Sequence, residues 1–337
     1  MKELIQIDTA SSRPKYQQIL EGVIASIEQG TLARGQQLPS ISELAEWQHV
    51  AKVTVAKAYE ELRQRGVVLS QQGKGFYVAS TEVRNPLNLF LLFDTLNAYK
   101  ETLYYAIKEA LPEGTHLHLF FHHYDRQLFE SLIGNSLGQY NYYVVMPHFN
   151  EDVSEVLGRI PKDKLVVIDK AVEQLEGEYA AVYQDFAEDV LAALASALDL
   201  LRPYRQLTLV PSNGPFQFVP AGIVEGFRRF GKASGLACRV AKTFRPELVR
   251  PGEAFLLFAD RDLIAFIRHV RRQGWELGQD VGLISYDDTP MKEILEGGIT
   301  VISTDFEQMG HTAGRLICER SKEKLANPAK LIRRKSL

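Results

Sequence analysis

Two sets of residues in this chain have types and spacing suited to chemistry on other molecules. The first lies between residues 38 and 78, where Ser40, Lys52, Thr54, Lys57, Gln72, Gly73 and Lys74 supply hydroxyls, ammonium groups, an amide and a glycine turn. Groups of this kind donate to phosphate oxygens and meet base edges in the major groove. The second set follows a series of apolar runs beyond residue 87: Asp94, Asn97, Tyr99, His148, Phe149, Asp185, Phe216, Gln217, Asp260, Arg261 and Asp287. Carboxylates and amides exchange hydrogen bonds with hydroxyls, and aromatic faces cover the apolar side of a sugar ring. That combination points to a monosaccharide or related polyol. The plainer reading of Asp94 and Asn97 is that they cap the helix that follows them.

The first set needs a frame that presents short polar groups outward. Ser40 with Glu43 three residues on forms a capping box, and Pro39 in front keeps the chain leading to Ser40 extended. Ile41, Leu44 and Ala45 give the short helix that follows one apolar face before Gln48-His49-Val50 interrupts the period. Val55, Ala58, Tyr59 and Leu62 then fall on one side of a second helix, with Lys52, Thr54 and Lys57 off that stripe and Gly66 as a left-handed stop. Val67-Val68-Leu69 and Phe76-Tyr77-Val78 read as two strands joined across Gly73-Lys74-Gly75. The order is helix-turn-helix and wing, whose second helix presents its leading turn to the major groove. The glycine turn lacks the longer spacing of a phosphate loop and opens a strand rather than a helix.

These motifs resemble the winged-helix domain of the GntR family of bacterial transcription regulators. The residues that carry the resemblance are Pro14 to Ile19, Gly35 to Ser40, Glu43-Leu44-Ala45, Val50 to Val55 and Gln72 to Gly75. Family members often carry Arg where this chain has Ser42, Lys52 and Ala56, so the resemblance implies a thinner set of contacts here. Lys52 keeps the charge without the bidentate fork that suits guanine.

The second set needs strand ends. Leu87 to Phe93 is a continuous apolar run followed by a polar loop and a helical pattern, and the sequence of strand, loop and helix recurs to residue 295. Such alternation predicts parallel sheets covered on both faces, with ligands beyond the carboxyl ends of strands. Some ten strands over about 250 residues fit two lobes better than one sheet. Residues 87–334 resemble the periplasmic-binding-protein-like sensor of LacI-family regulators, most clearly over Gly274 to Asp288, Ile299 to Asp305, Met309-Gly310 and Leu331 to Ser336. The resemblance implies that Asp287 matches the family's effector-binding aspartate. It also implies that Asp185 lies where the chain first crosses between lobes. Where the family has Arg before a Gly-Phe pair this chain has Ile223, and Arg261 stands where the family tends to have Asn.

The expected architecture is therefore an α+β winged helix-turn-helix domain over residues 1–80, a linker at 81–86, and an α/β two-lobed domain with parallel sheets over 87–337. Apolar content of 45% and a net charge of −3 describe a globular protein whose basic footprint is local. Cys238 and Cys318 have no metal-ligand spacing, and His116, His118, His122 and His123 lie on and just beyond one strand without a second ligand cluster. No signal peptide or membrane-length apolar run is present, so a cytoplasmic location is expected. The expectation is a DNA-binding transcription regulator, a homodimer on an operator, controlled by a small-molecule effector, with no catalytic residues, metal or cofactor. The alternative is a winged helix fused to an enzyme acting on a small metabolite. Against it stand the absence of a Gly-x-Ser-x-Gly elbow, a phosphate loop and a metal-spaced cluster.

Overall fold

The computed structural model describes residues 5, 7–8, 13–71, 73–79, 87–211 and 218–337. The chain divides into two units, Met1–Pro86 and Leu87–Leu337. The expected linker at 81–86 lies outside the described residues, as do Gln72, Phe216 and Gln217.

In the first unit, helix α1 (Lys15–Glu28) buries Ile19, Leu20, Val23, Ile24 and Ile27. These pack with Leu44 of α2 (Ile41–Trp47) and with Val55, Ala58, Tyr59 and Leu62 of α3 (Lys52–Gln64) in one apolar core. The capping box forms: Ser40 Oγ accepts from the Glu43 amide at 3.2 Å, and the Ser40 amide donates to the Glu43 carboxylate at 2.8 Å. Strands β1 (Val68–Gln71) and β2 (Gly75–Val78) pair antiparallel. The segment before α2 braces them, with the Leu38 amide donating to the Phe76 carbonyl and the Val78 amide to that of Gln36. Tyr59 ties the layers together, its hydroxyl bonded to the Pro39 carbonyl at 2.9 Å.

The second unit has two sheets. The first lobe contains β3 (Asn88–Phe93), α4 (Ala98–Glu109), β4 (His116–Phe121), α5 (Arg126–Ser136), β5 (Tyr142–Val145), α6 (Ser154–Gly158), β6 (Leu165–Lys170) and β7 (Ala180–Gln184). The chain then crosses into α7 (Phe186–Ser196), α8 (Leu198–Leu201), β8 (Gln206–Val210), α9 (Ala221–Ser234) and β9 (Ala237–Val240). The second lobe continues through β10 (Glu253–Leu257), α10 (Asp260–Gln273), β11 (Val281–Tyr286), α11 (Pro290–Ile294) and β12 (Thr300–Ser303). Helix α12 (Phe306–Glu319) and β13 (Lys324–Ala326) return to the first lobe, and β14 (Lys330–Ile332) to the second. The sheet orders are β13-β7-β6-β5-β3-β4 and β14-β12-β11-β10-β8-β9. The expectation of parallel sheets needs one correction: β14 runs antiparallel to β12, because it re-enters the second lobe directly from the last crossing without a helix to reverse its direction.

Each lobe is finished by a helix that the chain delivers from the other. Helix α12 lies on α4 so closely that a Cβ at Gly310 would stand 2.5 Å from that of Ala106, and one at Gly314 2.5 Å from that of Ala110. Helix α7 lies on α9 in the same way, with a Cβ at Gly226 meeting the Ala187 carbonyl oxygen at 2.2 Å. The three crossings are laced at one point. The Asn327 amide donates to the Tyr183 carbonyl, and its side chain donates to Thr304 Oγ1 at 2.7 Å and the Asp305 carbonyl at 3.0 Å.

Candidate functional site

The first unit offers a polar face at the start of α3. Lys52 and Lys57 are exposed and Thr54 is half-buried, while Val55 and Tyr59 anchor the opposite side. Lys57 Nζ lies 3.9 Å from the centre of the Tyr16 ring, which fixes that cation against α1. Arg63 and Arg65 are paired to Glu60 and Glu61, so they add little net charge to this face. Lys52 and the wing's Lys74 make no ion pair with any described residue. Gly73 adopts φ +75°, the left-handed turn that brings Lys74 to the tip, and the Lys74 carbonyl is held by Gln37 Nε2 at 2.7 Å. The Ser40 hydroxyl accepts at its helix cap and also engages the Glu43 carboxylate, whose pKa it lowers. Sequence reasoning passed over Val53. It is 72% exposed, an apolar group between Lys52 and Thr54 on the same turn.

The second unit contains a cavity of about 220 Å³ between the carboxyl ends of the two sheets. The first lobe contributes Asp94 after β3, Asn97 and Tyr99 at the start of α4, Tyr124 after β4, His148 after β5, Asp169 at the end of β6 and Gln184 at the end of β7. The second contributes Phe218 and Ile223 before and within α9, Phe258 and Asp260 after β10, Tyr286 and Asp287 at the end of β11, and Lys292 of α11. Phe186 and Phe306, which open the two exchanged helices, complete the wall. Tyr124, Asp169 and Asp287 take φ of +61°, +70° and +57°. Left-handed backbone at non-glycine residues costs energy, and at all three the turn aims a side chain into this cavity.

A buried ionic chain forms the floor. Asp94 is paired to Lys100 Nζ and accepts from His148 Nδ1 at 2.7 Å. His148 Nε2 lies 2.8 Å from Asp169 Oδ2, within ion-pair distance but off the hydrogen-bonding direction. Burial alone would raise the Asp94 pKa, but the His148 and Lys100 charges hold it well below the carboxylate range. Burial pulls His148 down, and Asp94 and Asp169 together overcome this, raising it to about 9. The ring is therefore an imidazolium at neutral pH, and Phe218 stacks on it at 5.1 Å.

Opposite, Lys292 Nζ donates to the Tyr286 and Asp287 carbonyls, both at 2.8 Å, and stabilises the left-handed turn. The Asp287 carboxylate accepts no hydrogen bond from a described residue. Burial, opposed by Lys292 and reinforced by Asp169, pushes it up to about 7. Gln184 Nε2 donates to Asp169, which leaves Gln184 Oε1 without a partner among the described residues, as is the Tyr286 hydroxyl.

Of the residues expected in the cleft, Asp94, Asn97, Tyr99, His148, Asp260 and Asp287 line this cavity, and Asn97 also caps α4 through the Lys100 amide. Three do not. Phe149 turns into the core beside Phe129 and stacks on His122, because a ring that size gains more from burial than from the cavity edge. Burial in that cluster pulls His122 down to about 4. Asp185 is exposed and spends its carboxylate capping α7 through the Glu188 amide. Arg261 points to solvent with its side chain 91% exposed, since the first turn of α10 places it away from the strand ends. Sequence reasoning missed Tyr124, Asp169, Gln184, Phe218, Tyr286 and Lys292 as cavity residues. Of these, Asp169 closes a predicted strand and so carried the same signal as Asp94.

Residues 15–78 match the family model described as bacterial regulatory proteins, gntR family, and residues 220–337 match that of the periplasmic binding protein-like domain. The HTH-type transcriptional repressor YtrA of Bacillus subtilis is 38% identical over 76 residues, 23% of this chain and 58% of the relative. The probable fructoselysine utilization operon transcriptional repressor of Escherichia coli K12 is 35% identical over 80 residues, 24% of this chain and 33% of the relative. The chain thus spans about one third to three fifths of these relatives' length.

Among solved structures, the lac repressor dimer bound to operator and the anti-inducer ONPF superposes with a TM-score of 0.59 at 16% identity, covering 75% of this chain and 95% of that one. A LacI family transcriptional regulator from Lactobacillus casei with bound glucose gives 0.59 at 15% identity, covering 74% and 99%. No helix among the described residues is long and apolar enough to cross a membrane. The chain joins a gntR-family regulatory domain at its N-terminus to a two-lobed domain of the periplasmic-binding-protein-like fold that LacI-family regulators share.

Proposed function

We propose that this protein is a cytoplasmic, dimeric, sequence-specific transcription regulator, not an enzyme, whose hold on operator DNA is set by a sugar-like effector bound between its lobes. One observation carries the reading: a chain with a gntR-type winged helix also encloses, at the meeting of two sets of strand ends, a cavity lined by rings and hydrogen-bonding groups. Lys52, Thr54, Lys57, Ser40 and the Gln72–Lys74 turn are the proposed DNA contacts. Asp94, Asn97, Tyr99, Asp260 and Asp287 are the proposed effector contacts, joined by His148, Asp169, Tyr286 and Phe218. Residues 1–80 form the DNA-binding domain and 87–337 the effector domain in this reading. Two lobes that close on an effector shift the equilibrium between states with different DNA affinity, and the coupling is reciprocal.

The test is a fluorescence-anisotropy titration on an operator selected from random DNA. Lys52→Ala with Thr54→Ala is expected to remove sequence preference, and Lys74→Ala to weaken all sequences and lower the salt slope by about 1. Unchanged selectivity in the double variant would place recognition elsewhere. A sugar that binds should raise the melting temperature and change the anisotropy midpoint together.

A further inference from the structure

We propose that the effector is a polyol carrying a protonated amine, an amino sugar or a sugar–amine adduct, whose ammonium group sits between Asp287 and Asp169. This rests on the cavity being the effector site of a regulator, and it adds the chemical class.

The argument is a balance of donors and acceptors. Lys100 and His148 are both spent on Asp94, and His148 reaches Asp169 as well. Lys292 gives two of its three protons to backbone carbonyls. No arginine among the described residues lines the cavity: Ile223 stands on α9, and Arg261 is outside in solvent. What remains open is rich in acceptors. The Asp287 carboxylate has no donor among the described residues. Gln184, 4% exposed, keeps an unpartnered Oε1, and Asp260 stands at the rim with its nearest cation, Lys292, 3.8 Å away. The open donors are the Tyr286 hydroxyl, on a residue 5% exposed, and His148 Nε2, which faces Asp169 off the hydrogen-bonding direction.

A sugar hydroxyl donates once, whereas an ammonium group donates three times and accepts nothing. Between Asp287 and Asp169 the second satisfies several acceptors from one atom and carries the charge that opposes theirs. Charge points the same way, since a phosphate or carboxylate on the ligand would face three carboxylates with every nearby cation engaged. The aromatic pairs Phe258–Tyr286 and Tyr99–Phe306, stacked at 4.9 and 4.6 Å, supply ring faces that suit both a sugar's apolar side and an adjacent cation.

The experiment is calorimetric titration of the full chain at pH 7.5 with 2-amino-2-deoxyhexoses and 1-amino-1-deoxyketohexoses, each beside its neutral parent, its N-acetyl derivative and a sugar phosphate. An amine is expected to bind at least about tenfold tighter than its parent and its N-acetyl derivative, with no binding of the phosphate. Asp287→Asn should remove that tenfold preference, and a cooperative melting transition no lower than the parent's shows that the variant is folded. A neutral sugar that binds as tightly as its amine, or a phosphate that binds at all, overturns this inference and leaves the sugar-responsive regulator standing. Absence of binding by every compound, with operator binding intact, overturns both. A preference for the amine that survives in Asp287→Asn overturns the placement of the ammonium group.

Discussion

At Asp287 the chain accepts a left-handed backbone and an enclosed carboxylate without a donor, and both have a measurable cost. Its folded pKa, raised to about 7, exceeds the unfolded value near 3.8, so the folded state binds the extra proton between those limits. The contribution of this carboxyl to stability is therefore most favourable below pH 4 and declines as pH rises through 7. Asp287→Asn removes the charge and keeps the shape. Without ligand, it is expected to melt higher than the parent at pH 8, by about 2–4 °C for each kcal/mol released, and equally at pH 4. A lower melting temperature at pH 8 would mean that the carboxylate has a protein donor. The same residues show how far strand-end reasoning goes. It places Asp94, Asp260 and Asp287 at the cavity and equally nominates Phe149, Asp185 and Arg261, because the rule locates a residue along the chain but not the direction of its side chain. That direction comes from turn dihedrals such as the +70° at Asp169, which no local residue pattern announces.

Among the elements, those with punctuation of their own were legible. The capping box of Ser40 and Glu43, the apolar stripe of α3 and the stop at Gly66 are all local, and each appears where the residues place it. Ser40→Ala should cost the first unit about 1 kcal/mol as the cap is lost, read as a lower denaturation midpoint. Strands β7, β13 and β14 were not assigned. They are three to five residues long, and the two three-residue strands, β13 and β14, stand at sheet edges, with β13 paired far back in the chain, Lys324 opposite Ala181. Short edge strands are made by tertiary pairing, not by propensity. The close helix contacts were equally silent, since a glycine inside a helix pattern reads as a weakness until its neighbour is known. Gly226→Ala would drive a methyl into the Ala187 carbonyl at 2.2 Å and should destabilise the second unit by about 1–3 kcal/mol. Gly235→Ala, where nothing lies within 4 Å but φ is +73°, should cost about 1 kcal/mol, and the comparison separates crowding from backbone strain.

For the molecule as a whole, the two lobes are joined by three crossings laced through Asn327. Removing that side chain leaves the Thr304 hydroxyl and the Asp305 carbonyl short of a partner at the pivot. Asn327→Ala is expected to lower the melting temperature and to weaken the link between effector and DNA more than either binding alone.

The exchange of helices also has a consequence in time. The first unit has all its described elements once residue 78 has left the ribosome, so it can fold while the rest is still being made. The first lobe cannot: the face of α4 that carries Leu103 and Ile107 waits for Phe306, Met309 and Ala313 of α12, some two hundred residues later. At about 5–20 residues per second that surface stands uncovered for about 10–40 s. The interval makes this lobe, rather than the head, the stretch of the nascent chain on which chaperones would be expected to act.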